Sequence, residues 1–285
     1  MYKRAILFIM SFFIAVSAFA QTSVNISNAD LSEGQDYTWT KDKVYLLQDM
    51  VFVKPGSRLF IQEGTVIKGA LGDGNEATGL VVTMGAQIFA EGTADEPIIF
   101  TSEIDDLNGS LTELDRGLWA GLVVLGDAPT NNATEDGTKL IEGVNEIANP
   151  ESYASYGGDD LDDNSGVIRY VSIRHTGINV GDVAGNEIQG LTMGGVGSGT
   201  TVEYVESFAS NDDGFEFFGG TVNTKYLVSA FNTDDAFDWD EGFQGSHQFW
   251  FAIQSPGNAN DGYGRAAEQD GATGDENTTP FAHPV

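Results

Sequence analysis

Cysteine is absent from the 285 residues, which excludes disulfide bridges, thiol nucleophiles and cysteine-based metal sites. Basic residues are scarce: 13 Lys and Arg stand against 43 Asp and Glu, giving a formal net charge of −30. Because phosphate recognition needs clustered Lys and Arg, this balance predicts no nucleic-acid partner. An acidic surface favours divalent cations, neutral sugars or cationic partners instead.

Long apolar runs are missing after the first 20 residues, which predicts no transmembrane segment in the mature chain. The N-terminal run follows Lys3 and Arg4 and covers residues 5–19, fewer than the roughly 20 residues that a spanning helix needs. Small residues precede Gln21, as in a signal-peptidase site. The sequence therefore predicts a secretory signal peptide over residues 1–20 and a secreted or outer cell-surface location.

Proline is rare, with 7 residues against 36 glycines, and helical periodicity is nearly absent from the mature chain. Short β-rich runs alternate with Gly, Asn and Asp turns, which is typical of an all-β chain. A 22-residue repeat is also present, in which Tyr204 aligns with Tyr226 and Phe215 with Phe237. One coil of a parallel β-helix, with three short strands and three turns, needs about that many residues.

The predicted fold class is therefore an all-β, right-handed parallel β-helix. The predicted organisation is a signal peptide (1–20), an N-terminal lead-in or cap segment (21–43) and the β-helix (44–285). A leucine-rich repeat would need a Leu- and Asn-patterned coil, and a β-propeller would need blades of about 40 residues.

Three segments resemble a known family. They are residues 53–69 (VKPGSRLFIQEGTVIKG), 85–102 (GAQIFAEGTADEPIIFTS) and 117–126 (GLWAGLVVLG). They resemble the large surface β-helix proteins of bacteria that use type IX secretion, most of which have no assigned activity. The resemblance implies a β-helix and export. Such proteins usually carry a C-terminal sorting domain, and because the sequence stops at Val285 without one, we expect a chain incomplete at its C-terminus.

An acidic loop is the first candidate metal site. Its predicted ligands are Asp159, Asp160, Asp162, Asp163 and Asn164. Their closely spaced oxygens suit Ca²⁺, which takes six to eight oxygen ligands, although the spacing is not that of an EF-hand. The alternative is a solvated acidic loop.

A second candidate is the repeated pair Asp212-Asp213 and Asp234-Asp235. If the coils are in register, Asp212 stacks on Asp234 at about 4.8 Å. Carboxylates that close must be protonated, hydrogen-bonded or bound to a cation. Three interpretations stay open: turn and ladder hydrogen bonding, a calcium site that includes Asp212 and Asp234, and a catalytic carboxylate pair.

The catalytic interpretation is supported by a loose similarity to polygalacturonase-type glycosidases, in residues 232–234 (NTD), Asp212, Asp213 and His247. An inverting hydrolase would use one carboxyl group as acid and another as base. The chain departs from that family, because residues 245–247 read Gly-Ser-His rather than Gly-His-Gly, and the Arg-Ile-Lys segment is missing.

Aromatic residues crowd the last third of the chain. Trp239 and Phe243 are predicted either to stack on a sugar ligand or to pack in the core. The three histidines, His175, His247 and His283, are predicted to be surface or turn residues.

The favoured function is a non-enzymatic, adhesin-like surface scaffold that binds glycan and calcium. The alternative is a polysaccharide hydrolase or lyase that uses the four repeated Asp residues.

Overall fold

The structure is a computed structural model that describes residues 21–131, 133–134, 136–183, 185–254 and 264–269. The predicted signal peptide (1–20) and His283 lie outside these residues. The strands are, in chain order, β1 (Thr22–Ile26), β2 (Asp36–Trp39), β3 (Lys43–Leu47), β4 (Met50–Val53), β5 (Arg58–Ile61), β6 (Val66–Gly69), β7 (Gly79–Val82), β8 (Gln87–Glu91), β9 (Ile98–Ser102), β10 (Leu122–Leu125), β11 (Lys139–Leu140), β12 (Ser155–Tyr156), β13 (Gly166–Arg174), β14 (Leu191–Gly194), β15 (Thr201–Phe208), β16 (Phe215–Phe218), β17 (Asn223–Lys225), β18 (Val228–Ala230), β19 (Phe237–Asp240), β20 (His247–Gln248), β21 (Phe251–Ile253) and β22 (Glu268–Gln269). Among the described residues, the helices are α1 (Val144–Ile147) and two 3₁₀ turns (Asn28–Asp30 and Glu151–Ala154), and none is long and apolar enough to cross a membrane.

All of these strands except β11 and β12, which form a separate antiparallel pair, stack into three parallel ladders, which we call faces. The first face contains β1, β3, β6, β9, the second halves of β13 and β15, β18 and β21. The second face contains β4, β7, β10, β14, β16, β19 and β22. The third face contains β2, β5, β8, the first halves of β13 and β15, β17 and β20. The chain visits the faces in turn, so the predicted parallel β-helix is confirmed.

Two long strands join the third face to the first. The β13 strand turns the corner at Tyr170 and β15 turns it at Tyr204, where φ is 49° and 55°. Tyr226 and Phe249 occupy the same corner on the next two coils, also with positive φ. The rings of these four residues stack with centroids 4.4 to 4.8 Å apart.

The core lies inside the coils because alternate side chains of each strand point inward. On the second face the inward row is Val51, Leu80, Leu122, Leu191, Phe215 and Phe237. All six are buried. The ring centroids of Phe215 and Phe237 lie 5.4 Å apart, so the predicted 22-residue alignment is the register between adjacent coils.

A second apolar cluster lies outside the second face and extends from β4 to β16. Phe52 and Val123 project outward there and are covered by Val144, Tyr153 and Tyr156. The covering residues belong to the segment 126–165, which leaves the coil after β10 and returns at β13. This segment gives the second face a covered, apolar end.

The coils begin before residue 44. Strands β1 and β2 lie in the segment 21–43, which the sequence predicts to be a lead-in or cap, and they pair in parallel with β3 and β5. This segment therefore supplies strands to both the first and the third face.

Candidate functional site

The outward row of the second face changes character along the solenoid. In register, this row is Phe52, Val81, Val123, Thr192, Glu216, Asp238 and Glu268. Its first three members are apolar and its last three are acidic. The acidic side chains lie on the later coils, and the first of them, Glu216, shares β16 with Phe218, which still belongs to the apolar cluster.

The repeated Asp residues lie at the corner that leads into this acidic stretch. Asp212 and Asp213 precede β16, and Asp234 and Asp235 precede β19 one coil later. One carboxylate oxygen from each of Asp212, Asp213 and Asp234 lies within 4.8 Å of the others. The structure therefore brings these three predicted site residues together.

Glu216 and Asp238 extend this group along the outward row of the second face. One oxygen from each of Asp213, Glu216 and Asp238 lies within 4.8 Å of the other two. The carboxyl groups form a continuous cluster, from the exposed Asp234 through the half-buried Asp212 to the buried Asp213 and Glu216.

Burial and neighbouring negative charges raise the pKa values of the carboxyl groups in this cluster. Burial, with the charges of Glu187 and Asp234, raises the pKa of Asp212 to about 7. Burial and the charge of Asp212 raise the pKa of Asp213 to about 9. Burial and acidic neighbours also raise the pKa of Glu216 well above its ordinary value. At neutral pH these groups hold protons or need a cation.

Hydrogen bonds orient the outer carboxylates. The side-chain amide of Gln189 donates to Asp212 Oδ2 at 3.2 Å, and Gln189 Oε1 accepts from Thr192 Oγ1 at 2.5 Å. The amide of Asp235 donates to Asp213 Oδ1 at 2.7 Å. Of the predicted quartet, Asp235 is engaged differently, because its carboxylate accepts the Arg265 amide at 2.5 Å and pairs with that guanidinium at 3.3 Å.

The acidic loop 159–164 has a different geometry. Asp162 accepts from Ser198 Oγ at 2.7 Å, Asp163 accepts the Gly197 amide at 3.1 Å, and Asn164 accepts the Gly166 amide at 2.9 Å. Within the described part of the chain, none of its residues joins a group of three or more candidate ligands within 4.8 Å. Calcium binding by this loop stays a prediction, and the observed contacts are those of a turn.

Trp239 and Phe243, the predicted sugar-binding residues, pack with the core. Phe243 is 3% exposed, and its ring lies 4.8 Å from that of Phe217 in the core. Trp239 is half-buried and packs on the same core, because it is an inward residue of β19 between the outward Asp238 and Asp240. Both residues follow the packing alternative, and sugar binding by them stays a prediction.

His175 lies at a bend, as the turn alternative predicts, whereas His247 lies in β20, and neither side chain is fully exposed. His175 is buried, and its Nδ1 lies 2.6 Å from the carbonyl oxygen of Asp115. His247 stacks on Trp250 at 3.9 Å, and its Nδ1 lies 2.8 Å from Thr224 Oγ1. As an inward residue of the third face, His247 is not placed as a base beside the Asp cluster.

The sequence interpretation assigned no role to Glu216 or Asp238. A signal for both was present, because Glu216 lies between two inward phenylalanines in β16 and the 22-residue repeat aligns it with Asp238. Because successive side chains of a strand point to opposite faces, both carboxyl groups are expected to point outward, on the side of the repeated Asp residues.

Comparison with known proteins gives one match. A family model described as a pectate-lyase-like beta helix domain matches residues 30–285. No curated protein matches the chain, and no solved structure matches it. Since the family model covers most of the sequence and the observed coils have the architecture that it describes, the chain belongs to the pectate-lyase-like beta-helix family.

Proposed function

We propose that this chain is an exported, adhesin-like scaffold on the surface of a bacterium that uses type IX secretion. In this proposal it binds Ca²⁺ at Asp212, Asp213 and Asp234 and contacts glycans along the second face. One observation carries the proposal, namely the convergence of three carboxylates within 4.8 Å at the surface end of an acidic row. Membership of a pectate-lyase-like family is compatible with a polysaccharide ligand.

The chemistry of the outer carboxylates supports calcium. Ca²⁺ prefers carboxylate and other oxygen ligands and takes six to eight of them. Three side chains leave several coordination positions for water or for sugar oxygens. Because Asp234 is exposed, a polysaccharide could reach these positions directly, and the cation would bridge protein and glycan.

A polysaccharide hydrolase or lyase is the second candidate. The pKa of Asp212, raised to about 7, is what a general acid needs at neutral pH. However, an inverting hydrolase keeps its two carboxyl groups about 6.5–9.5 Å apart to admit water. The approach of the Asp oxygens within 4.8 Å suits a shared ion better than a sugar bond between them.

The first test is retention of the purified mature chain on insoluble polysaccharides, in Ca²⁺ and in a chelator. We expect Ca²⁺-dependent retention that Asp234→Asn weakens and that the exposed Asp95→Asn control leaves unchanged. Equal retention with and without Ca²⁺, or none on any polysaccharide, would contradict the proposed function.

The same samples are assayed for new reducing ends and unsaturated products. Product that forms with the wild type and is lost with Asp234→Asn would establish the enzyme instead of the scaffold.

A further inference from the structure

Glu216 is a buried carboxyl group with an unsatisfied oxygen. Its side chain is only 7% exposed, and its Oε2 atom has no hydrogen-bond partner among the described residues. An unsatisfied buried polar atom destabilises the fold, and more so when it is charged. A bound group that contacts the Glu216 oxygen would remove this destabilisation.

Glu241 shows how the same fold satisfies a buried acid. Its side chain is 3% exposed, and its carboxylate accepts from Thr130 Oγ1 at 2.8 Å and from the Tyr156 hydroxyl at 2.7 Å. It also forms a short ion pair with Lys139. Glu241 therefore has a protein cation and two hydroxyl donors, whereas Glu216 faces other acids.

The surroundings of Glu216 are acidic from several directions. The strongest charges acting on it come from Asp213 at the preceding corner, Glu142 in the covering segment and Asp238 on the next coil. One oxygen each of Asp213, Glu216 and Asp238 lies within 4.8 Å of the others. Three carboxyl groups therefore converge on a single small volume.

We propose that Asp213, Glu216 and Asp238 form an inner site for a hard divalent cation, Ca²⁺ or Mg²⁺, beneath the outer carboxylates. A proton does not satisfy the geometry, because a protonated Oε2 would need an acceptor and has no hydrogen-bond partner in the described structure. A cation contacts all three oxygens at once and offsets their mutual repulsion.

Metal ligation needs ionised carboxyl groups, so cation binding at the inner site displaces any protons that its ligands carry.

This inference rests on the cation-binding part of the proposed function and not on its glycan part. The test titrates the chelator-treated chain with Ca²⁺, and separately with Mg²⁺, in a calorimeter without polysaccharide. Two buffers of different ionisation enthalpy report the number of protons released. The variants are Glu216→Gln for the inner site, Asp234→Asn for the outer carboxylates and Asp95→Asn as the exposed control.

We expect Glu216→Gln to lose one binding event, or to weaken it at least about 10-fold, and to lose its proton release. Asp234→Asn should keep that event. Glu216→Gln is expected to fold at least as well as the wild type without metal, since it replaces a buried carboxyl group among other acids with a neutral amide of similar size. If it fails to fold, Asp238→Asn is used in its place.

Unchanged stoichiometry, affinity and proton release in Glu216→Gln would overturn the inner site. Loss of all binding in Asp234→Asn alone would overturn it too, because the only cation would then be the outer one. Absence of binding to the wild type would overturn both the inner site and the calcium part of the proposed function. Intact cation binding without glycan retention would overturn only the glycan part.

Discussion

Glu216 lies opposite Asp238 in the ladder that joins β16 to β19, so two carboxyl groups on adjacent coils share one outward row. Neighbouring strands are about 4.8 Å apart, so in-register stacking concentrates like charge more than a random surface would. The ladder therefore links the stability of the C-terminal coils to pH and to cations.

The first prediction concerns pH and calcium. The pKa values of Asp212 and Asp213 rise from 3.8 to about 7 and about 9 on folding. The folded chain therefore binds more protons than the unfolded chain between pH 4 and 9. The stability contributed by these groups is greatest below pH 3.8 and is lost as pH rises through 7 and 9. Urea unfolding in chelator should show this decline, and Ca²⁺ should offset it most at the alkaline end.

Asp213→Asn should flatten the decline, and Asp95→Asn should leave it unchanged. A wild-type profile that is flat from pH 5 to pH 9, in chelator, would contradict the raised pKa values.

The lowered pKa of His247 predicts a contribution to stability that changes with pH in the opposite direction. Burial lowers its pKa from 6.5 to about 4, so the unfolded chain binds the extra proton between these values. The contribution of neutral His247 is complete above pH 6.5 and is lost as pH falls toward 4. Because the acidic cluster acts in the other direction, the effect is read as the difference between wild type and His247→Phe. That difference should grow as pH drops from 6.5 to 4, and parallel profiles would refute it.

Truncation of Phe217 should be costly. Its ring is fully buried and contacts Phe243 and Trp250. Loss of a buried Phe side chain costs about 3–5 kcal/mol, so Phe217→Ala should lower the free energy of unfolding by about that amount. Phe251→Ala is the matched control, since Phe251 is 57% exposed and should change stability by about 0.5 kcal/mol or less. A loss in Phe217→Ala as small as that expected for Phe251→Ala would contradict the core position of Phe217.

The left-handed corner gives a fourth prediction. Tyr204 has φ of 55° and stacks on Tyr170 and Tyr226. Asn tolerates this conformation and β-branched residues do not. Tyr204→Asn and Tyr204→Val both lose the stacking, but the Val variant should be less stable by about 1 kcal/mol in thermal unfolding. Equal stability would mean that the corner relaxes.

Much of the fold was predictable from sequence because a solenoid repeats the same contacts at a fixed interval. Tyr204 and Tyr226 align in the sequence, and their rings stack at 4.4 Å. The same register brings Asp212 near Asp234, which the repeat also predicted.

The covering segment and the inner carboxylates were harder to predict. Val144, Tyr153 and Tyr156 are separated by polar residues, and their common target on the second face depends on coils distant in sequence. The role of Glu216 depends on which face its strand occupies, and a single strand does not reveal this. The choice between the two alternatives for Trp239 was hidden for a related reason, because its acidic neighbours in sequence point to the opposite side of the strand.

The stacked aromatic residues occupy the same corner on successive coils and so fix where each coil begins. Tyr226 follows Tyr204 by 22 residues and Phe249 follows Tyr226 by 23, but Tyr204 follows Tyr170 by 34. The rings nevertheless stack at 4.4 to 4.8 Å throughout. Extra chain length is therefore taken up in loops elsewhere on the coil, while each turn restarts from the same angular position. A loop between two of these corner residues could be lengthened or exchanged without moving the carboxylates on the coils that follow.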